Sequence, residues 1–310
     1  MKDPIITDYE SRHPSKKDAE KFIAKLKNID LQKIELFDLD EIIDSVFHFI
    51  PFGSAYIQAG KKIYRARKSD NGEIFNNISE LGMRKASEIK DYGRANQPLE
   101  AVFYGATNMH LACGEVLQNL KHNINPQWEP GFTTVSVWNV VKKLHISPVY
   151  YSEAVSKVRE DVAKYKIGSK TFARENSSIS HETLDVSDMI MEFFCDEFSK
   201  QIINTNHDYK YSVSYTRRLK HINNMIAPQY QSERFDGILY PSVAMKYKGD
   251  NIALFDDDLD SKIEFETAFQ VVSTNFDFEN GNFRTSIMHE VESVDEKGNL
   301  KWNKEVWRPK

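Results

Sequence analysis

The sequence predicts an α+β fold. Segments in which apolar residues recur at helical spacing are interleaved with short segments rich in β-branched and aromatic residues. These segments do not follow the regular alternation of strand and helix that is typical of a doubly wound parallel sheet. With 310 residues, 40% of them hydrophobic and 28% charged, the chain is long enough to bury a core without disulfides.

The N-terminal part of the chain contains two segments with apolar residues at helical spacing. Apolar residues keep helical spacing from Lys16 to Leu36, and a second such pattern, LDEIIDSVFHF, runs from Leu39 to Phe49. We therefore predict a helical segment over residues 1–60. Its apolar stripes need a surface to cover them, either on the rest of the chain or on a partner protein.

The first strands follow this segment. KKIYRARK at residues 61–68 predicts a short strand, and AVFYG at residues 101–105 predicts another after a polar loop. Thr107 or Asn108 is suited to cap the helix that comes next. FTTVSVWNVV and LHISPVYYS predict two further strands, because both are rich in β-branched and aromatic residues.

The second half of the chain mixes both patterns. Asp188 to Ile203 predicts a long helix, and YKYSVSYTRRLKHINNMI predicts another. FDGILYPSVAMKYKGDNIALFDD then predicts two short strands around a loop. The pattern alternates again from Phe265 onward, where DEKGN at residues 295–299 is suited to a hairpin turn.

Charge and composition limit the classes of function. The formal net charge is -5 and the pI is near 6.0, so any binding of phosphate groups needs a local basic site. The sequence contains neither a run of about 20 apolar residues nor the apolar core of a signal peptide near its start. We expect a cytoplasmic protein that does not bind nucleic acid directly and does not bind membranes.

Cysteine and histidine usage predicts no metal site. Cys113 and Cys195 both sit in apolar helical patterns and are expected to be small buried hydrophobic residues. The nine histidines lack the spacing of metal ligands.

Glu115 lies in a helix with a clear apolar stripe. At about 100° per residue it falls off that stripe, beside Leu111 one turn earlier. A glutamate in this position is either a solvated surface residue or a group on a second, partly covered face. The stripe consists of Met109, Ala112, Cys113, Val116, Leu117 and Leu120.

Other candidate residues also allow a structural and a functional interpretation. Arg65 and Arg67 alternate along a predicted strand and share one face, leaving Tyr64 on the other, so the two arginines face either solvent or an anion. Arg94 in GRAN is either a surface arginine or binds a phosphate or carboxylate through the paired donors of its guanidinium group. Ser242 in YPS is suited to a turn in which it bonds its own backbone.

The order of these motifs resembles that of the RES domain family, which is named for its arginine, glutamate and serine. IYRAR, GRANQPLEAVFYGATNMHLACGEV, FDGILYPS and GDNIALF follow one another from about Ile63 to Phe255. Arg65, Glu115 and Ser242 fall on the three residues of the name, and Arg94 and Tyr104 match its loop and strand positions. Ala95 stands where the family's loop usually has an aromatic residue.

The resemblance implies an ADP-ribosyltransferase-like fold with a mixed β core and flanking helices, and a RES catalytic domain at residues 61–260. It does not cover the first 60 residues or the tail after about residue 260. For these parts the residue patterns predict the helical N-terminal accessory segment at 1–60 and a C-terminal β-rich extension at 261–310, which we expect to pack on the catalytic domain.

The resemblance also implies a bacterial toxin that cleaves the bond between nicotinamide and ribose in NAD, with a protein antitoxin as partner. NAD would be a substrate, no cofactor is implied, and inorganic phosphate would be the co-substrate of a phosphorolysis. Glu115 would stabilise positive charge on the ribose, while Arg65 and Arg94 would hold the phosphates. The other implied site residues are Tyr104, Tyr64, Asn96 and Ser242.

Three alternatives stay open. The ADP-ribosyl group could pass to phosphate or to water, which would make the protein an NAD phosphorylase or glycohydrolase. It could instead pass to a protein or another macromolecule. In the third alternative the chain is an inactive binding module, in which the arginine and the glutamate only pair with each other.

Overall fold

The computed structural model describes residues 8, 10–48, 50–69, 72–118, 130–201, 203–225, 233–255, 257–277 and 279–303. Phe49, Leu120 and Ile202, which belong to predicted helical patterns, lie outside these residues. The chain divides into two compact units, each assembled from three stretches of sequence. We call them the helical unit (Met1–Ser54, Asp91–Pro98 and Pro148–Arg234) and the sheet unit (Ala55–Lys90, Leu99–Ser147 and Phe235–Lys310).

Most of the described helices belong to the helical unit, and α3 and α4 belong to the sheet unit. The helices are Lys16–Leu26 (α1), Leu36–Asp44 (α2), Ile78–Leu81 (α3), Met109–Leu117 (α4), Glu153–Ser156 (α5), Glu160–Asn176 (α6), His181–Phe198 (α7) and Lys210–Met225 (α8).

The strands lie in the sheet unit, apart from Pro148 at the end of β5. They are Ala55–Ile57 (β1), Lys62–Lys68 (β2), Phe103–Ala106 (β3), Gly131–Val140 (β4), Leu144–Pro148 (β5), Gly237–Pro241 (β6), Asp250–Leu254 (β7), Ile263–Asp277 (β8), Asn282–Val294 (β9) and Leu300–Trp302 (β10). In the described part of the chain they form a ten-stranded sheet in the order β1-β5-β6-β7-β3-β2-β4-β8-β9-β10. Neighbouring strands are antiparallel in every pairing whose register is described.

The pairing between β2 and β3 is short, and we call it the narrow joint. β2 pairs with β4 from Lys62 to Lys68, and β3 pairs with β7 along its whole length. Between β2 and β3, the described residues form a single pair, Tyr64 with Ala106. The two strands therefore part next to this pair, and backbone groups of β3 on that side are left for side chains to satisfy.

Each face of the sheet carries its own hydrophobic core. The α4-side core contains Leu111 and Ala112 of α4, with Tyr64 and Ala66 of β2 packed against it. The opposite core contains Ile63 of β2 together with other buried residues, among them Phe103, Trp138, Ile252 and Leu254. Because side chains alternate along a strand, Arg65 lies with Ile63 on the face opposite α4.

In the helical unit, α1 packs on α7 and α2 packs on α8. α1 buries Ala19, Phe22 and Leu26. The side chain of Lys210, at the start of α8, donates hydrogen bonds to the Leu31 carbonyl at 2.8 Å and to the Ile34 carbonyl at 2.5 Å. Residues after α1 therefore accept hydrogen bonds from a buried lysine of α8.

The α+β prediction is confirmed by this arrangement of helices and sheet. The hairpin predicted at residues 295–299 is also confirmed, because Val294 of β9 pairs with Leu300 of β10 around that turn. Asn108 is the N-cap of α4, where its side chain accepts a hydrogen bond from the Leu111 amide at 2.9 Å. It is one of the two capping residues that the sequence allowed.

Other elements differ from expectation. The strand predicted over LHISPVYYS ends at Pro148, which has no N–H to continue a ladder, and Ser152 caps α5 instead. β1 lies within the segment expected to be helical. α6 is a 17-residue helix that was not predicted from the sequence, and its Ile167 and Phe172 side chains are exposed.

The compact units are bounded differently from the predicted domains. Residues 1–54 share a unit with residues 148–234, whereas β8 to β10 belong to the same sheet as β2. The reason for the second difference is that β8 pairs with β4 along all of β4, from Gly131 to Val140.

Candidate functional site

Helix α4 places Glu115 at the edge of the α4-side core. Leu111, Ala112, Cys113 and Leu117 are buried, and Glu115 is half-buried. Of the predicted apolar stripe, Met109 and Val116 are also only half-buried. The second, partly covered face of this helix is therefore real: it carries buried Leu111 and, one turn later, Glu115.

Two glycines let α4 approach the loop between β6 and β7 closely. A Cβ atom added to Gly114 would lie 2.2 Å from Sδ of Met245, which belongs to this loop. A Cβ atom added to Gly249, at the other end of the loop, would lie 2.3 Å from Cδ1 of Leu111. The absence of both Cβ atoms permits the packing that sets Glu115 beside Ser242.

Glu115 is the centre of a small polar cluster. Its Oε1 atom accepts hydrogen bonds from Oγ of Ser242 at 2.6 Å and from Nδ2 of Asn251 at 2.7 Å. Its Oε2 atom accepts none from the residues that the structure describes. We call Glu115, Ser242 and Asn251 the Glu115 site. One carboxylate oxygen is fixed by two neutral donors, and the other has no donor among the described residues.

The Glu115 site contains a second acceptor without a donor. Asn251 is 3% exposed, and its Oδ1 atom is buried without a hydrogen-bond partner among the described residues. A buried polar atom of this kind costs free energy, so native structures seldom leave one unpaired. Two acceptors without donors, on side chains that touch each other, suit a ligand that brings hydroxyl groups.

The loop that carries Ser242 is strained. The Ser242 amide donates to the Gly249 carbonyl at 2.8 Å, and the Tyr247 amide donates to the Ser242 carbonyl at 2.7 Å. Lys246 and Tyr247 have φ angles of 50° and 63°, in the left-handed region that favours glycine. Each such residue costs on the order of 1–3 kcal/mol, and strain of this kind clusters at functional sites.

Both candidate tyrosines are associated with the α4 side of the sheet. Tyr64 is half-buried and packs against the α4-side core. Tyr104 alternates along β3 with Phe103 of the opposite core, so its side chain lies on the same side as Tyr64. Tyr64, Tyr104, Glu115 and Ser242 therefore share one side of the sheet, and within this group the structure shows a direct contact between Glu115 and Ser242.

Arg65 lies on the other side, next to the narrow joint. Its Nη1 atom donates to the Tyr104 carbonyl at 2.6 Å, and its guanidinium carbon lies 5.1 Å from the centre of the Phe103 ring. The side chain is 8% exposed, and Nε is buried without an acceptor in the described chain. Burial, followed by the positive charges of Arg67 and Arg84, lowers the pKa of Arg65 to about 9.

No described contact joins Arg65 to Glu115. The pairing of these two residues with each other, as an inactive module would require, is not present among the described ion pairs. Arg65 remains protonated at neutral pH, because its pKa of about 9 is still above 7.

Arg94 and Asn96 belong to the helical unit, where both have main-chain partners. Arg94 donates to the carbonyl of Phe198 at 2.6 Å and to that of Lys200 at 3.1 Å, at the C-terminal end of α7. Asn96 is buried and donates to the carbonyls of Asp91 at 3.3 Å and Gln97 at 3.0 Å. The GRAN loop therefore stabilises the C-terminal end of α7 through Arg94, because the last carbonyls of a helix have no hydrogen-bond partners within it.

Asn251 and Arg84 were not among the candidates from the sequence. Asn251 opens the motif NIALF, but nothing in its spacing shows that it meets a glutamate 136 positions earlier. Arg84 follows α3 in a short loop. Only the fold shows that its charge acts on Arg65 and Arg67.

The described residues contain no group of three or more histidine, cysteine, aspartate or glutamate side chains that could hold a metal ion. None of the described helices is long and apolar enough to cross a membrane. Comparison of the chain with models of known protein families and with curated proteins gave no match.

Proposed function

We propose that this protein is an enzyme of the RES type that cleaves the bond between nicotinamide and ribose in NAD. One observation carries the proposal. Ser242 and Asn251, which lie 127 and 136 positions after Glu115, both donate to the same carboxylate oxygen. These three residues come from three of the four motifs on which the resemblance to the RES family rests.

The chemistry of this bond suits the Glu115 site. Breaking the bond to nicotinamide builds positive charge on the ribose, and a fixed carboxylate stabilises such charge. Ser242 and Asn251 hold Oε1, so the carboxylate is oriented before the ligand arrives. The ribose hydroxyls would donate to Oε2 of Glu115 and Oδ1 of Asn251, the two acceptors that lack donors among the described residues.

The proposed ADP-ribosyl acceptor is phosphate or water. Transfer to a protein or another macromolecule would use the same carboxylate, so this alternative differs only in the acceptor. The proposal includes an ADP-ribosyltransferase-like fold for the sheet unit, a cytoplasmic location and a protein antitoxin as partner. It does not require Arg65 or Arg94 to touch the same ligand as Glu115, because no described contact joins either of them to that residue.

The direct test is to incubate the purified protein with NAD, with and without inorganic phosphate, and to identify the products by mass. Phosphorolysis yields ADP-ribose 1-phosphate, hydrolysis yields ADP-ribose, and macromolecular transfer yields a modified protein or nucleic acid when an extract is added. We expect loss of NAD and release of nicotinamide. Intact NAD after prolonged incubation with folded protein would contradict the proposal.

Glu115→Gln tests the assigned residue. Glutamine keeps an oxygen that can accept from Ser242 and Asn251 but removes the negative charge. The loss should therefore fall on the transition state, with a rate reduction on the order of 10²-fold or more. We expect an almost unchanged melting temperature, retained NAD binding by calorimetry and no toxicity on expression in bacteria.

Glu264→Gln is the matched control. Glu264 is exposed on β8 and makes no side-chain hydrogen bond or ion pair in the described part of the chain, so NAD turnover should be unchanged. Near-normal turnover by Glu115→Gln would refute the assignment of Glu115 and with it the proposed mechanism.

A further inference from the structure

Three arginines of the sheet unit lie close together on the face opposite α4. Arg65 and Arg67 are two positions apart on β2 and share this face. Nη2 of Arg67 donates to the Gly82 carbonyl at 2.9 Å, which fixes the short segment that carries Arg84 two residues later. We call Arg65, Arg67 and Arg84 the arginine cluster.

Among the residues that the structure describes, no carboxylate lies within ion-pair distance of the arginine cluster. Within the described chain none of its three members is in an ion pair, and Arg84 makes no hydrogen bond either. The nearby carboxylate of Glu80 accepts from the backbone amides of Asn76 and Asn77, both at 2.9 Å. Three positive charges thus stand together in a chain whose net charge is -5.

The cluster also contains donors without acceptors. Nε of Arg65 and Nε of Arg67 are both buried and have no hydrogen-bond partner among the described residues. Burial first, and then the charge of neighbouring arginines, lowers the pKa of both side chains, and the carboxylates of Glu88 and Glu80 oppose this only in part at Arg67. An arrangement that leaves buried cations unpaired is costly, and an anion would relieve the cost.

We propose that the arginine cluster binds a phosphate oxyanion, either free or as the phosphoryl group of a larger ligand. Exposure falls along the cluster, from exposed Arg84 through half-buried Arg67 to buried Arg65. A ligand arriving from solvent would contact Arg84 and Arg67. The positive charge of Arg65 would attract it from the buried side of the cluster. The planar guanidinium group matches phosphate oxygens with paired donors.

This site is separate from the Glu115 site and does not depend on NAD turnover. Glu115 packs on the α4 side of the sheet, whereas the arginine cluster lies on the opposite face. An experiment that contradicts NAD cleavage at the Glu115 site therefore does not contradict phosphate binding at the arginine cluster, and the reverse also holds.

The test is calorimetric titration with sodium phosphate at constant ionic strength, with sodium chloride as reference, together with melting temperatures in both salts. We expect saturable phosphate binding and a higher melting temperature in phosphate. Arg84→Gln should weaken phosphate binding about tenfold or more, because it removes one charge-assisted contact. The fold should tolerate this change, since the Arg84 side chain has no described partner.

Arg284→Gln is the matched control, because Arg284 is exposed on β9 and also has no described ion pair. Its phosphate affinity should equal that of the parent protein. Equal losses in Arg84→Gln and Arg284→Gln would show a general charge effect and overturn the site. Binding of phosphate no stronger than that of chloride would overturn it as well.

A second arm identifies the source of the phosphate group. Adenosine monophosphate is titrated into the parent protein and into Arg84→Gln. Tighter binding of the nucleotide than of inorganic phosphate, lost in Arg84→Gln, supports the phosphoryl group of a larger ligand. Equal affinity for the two supports a free oxyanion. Nucleotide binding that Arg84→Gln leaves intact places the nucleotide elsewhere and counts against a phosphoryl ligand at the cluster.

Discussion

Glu197 of α7 shows at the residue scale how burial sets the behaviour of a carboxyl group. Its side chain is 11% exposed, and its closest described cation is Nζ of Lys200 at 3.4 Å. Burial raises the pKa of Glu197, and the charge of Lys200 opposes this only in part. An acid whose pKa is higher in the folded state costs stability above that pKa, and the cost fades as the pH falls.

We therefore predict that Glu197→Gln raises the free energy of unfolding at pH 7. The gain should shrink as the pH falls through the folded pKa, and it should vanish below the ordinary value of 4.5. Urea denaturation of parent and variant across this pH range measures it. Glu175→Gln, a change at an exposed residue of α6, should leave stability almost unchanged. A lower stability of Glu197→Gln at pH 7 would show that the contact with Lys200 outweighs burial.

At the residue scale, the Glu115 site shows which features could be predicted from the sequence and which could not. The helical spacing showed that Glu115 stands off the apolar stripe beside Leu111, and the structure has it there, half-buried. Its donors could not be predicted from spacing, because Ser242 and Asn251 approach it only through the long-range pairing of β7 with β3. The family resemblance named Ser242 but gave no role to the unpaired Oδ1 of Asn251.

At the scale of elements, the end of α7 depends on one loop residue. Arg94 donates to two carbonyls at this end, and its guanidinium lies 5.1 Å from the centre of the Tyr209 ring. We predict that Arg94→Ala lowers the free energy of unfolding by about 1–3 kcal/mol, because two carbonyls lose their donors. Urea denaturation measures this loss.

Lys164→Ala is the control for that measurement. Lys164 is exposed on α6 and makes only an exposed ion pair with Glu160, so its removal should change stability by less than about 0.5 kcal/mol. If Arg94→Ala were as stable as this control, the contacts at the end of α7 would contribute nothing measurable.

The helices and strands that could be predicted were those whose apolar residues recur at a clear spacing. β2 and β4 carry β-branched or alternating residues, and α8 carries a helical stripe, so local patterns sufficed for them. α6 was missed because its exposed face includes Ile167 and Phe172, which blur the helical pattern. The strand order could not be predicted, because β3 lies between β2 and β7 through contacts that no local pattern encodes.

At the scale of the whole molecule, residues 1–54 are part of the helical unit's core. Tyr211 of α8 donates through its hydroxyl to the Leu26 carbonyl, and Arg218 forms ion pairs with Asp40 at 2.9 Å and Asp44 at 2.7 Å. Removal of residues 1–54 would expose the apolar faces that cover Ala19, Phe22, Leu26, Leu36, Leu39 and Ile43.

We therefore predict that a chain starting at residue 55 is insoluble, or soluble without a cooperative thermal transition. Solubility after expression and calorimetric melting measure this. A chain lacking only residues 1–7, which precede all of the helices given above, serves as the control and should melt like the parent. A deletion of residues 1–54 that melts cooperatively and keeps NAD turnover would show instead that this segment is a dispensable accessory.

The pairing of β3 with β7 has a consequence for synthesis of the chain. Ala106 of β3 pairs with Asn251 of β7, so nearly half of the sequence must be made before β3 gains its longer partner edge. At about 5–20 residues per second, the delay is roughly 7–30 s on the ribosome. Over that time the strands made early, β2 to β5, have edges without their final partner strands on the nascent chain. We infer that the yield of native protein in a cell depends on chaperones and on the speed of translation.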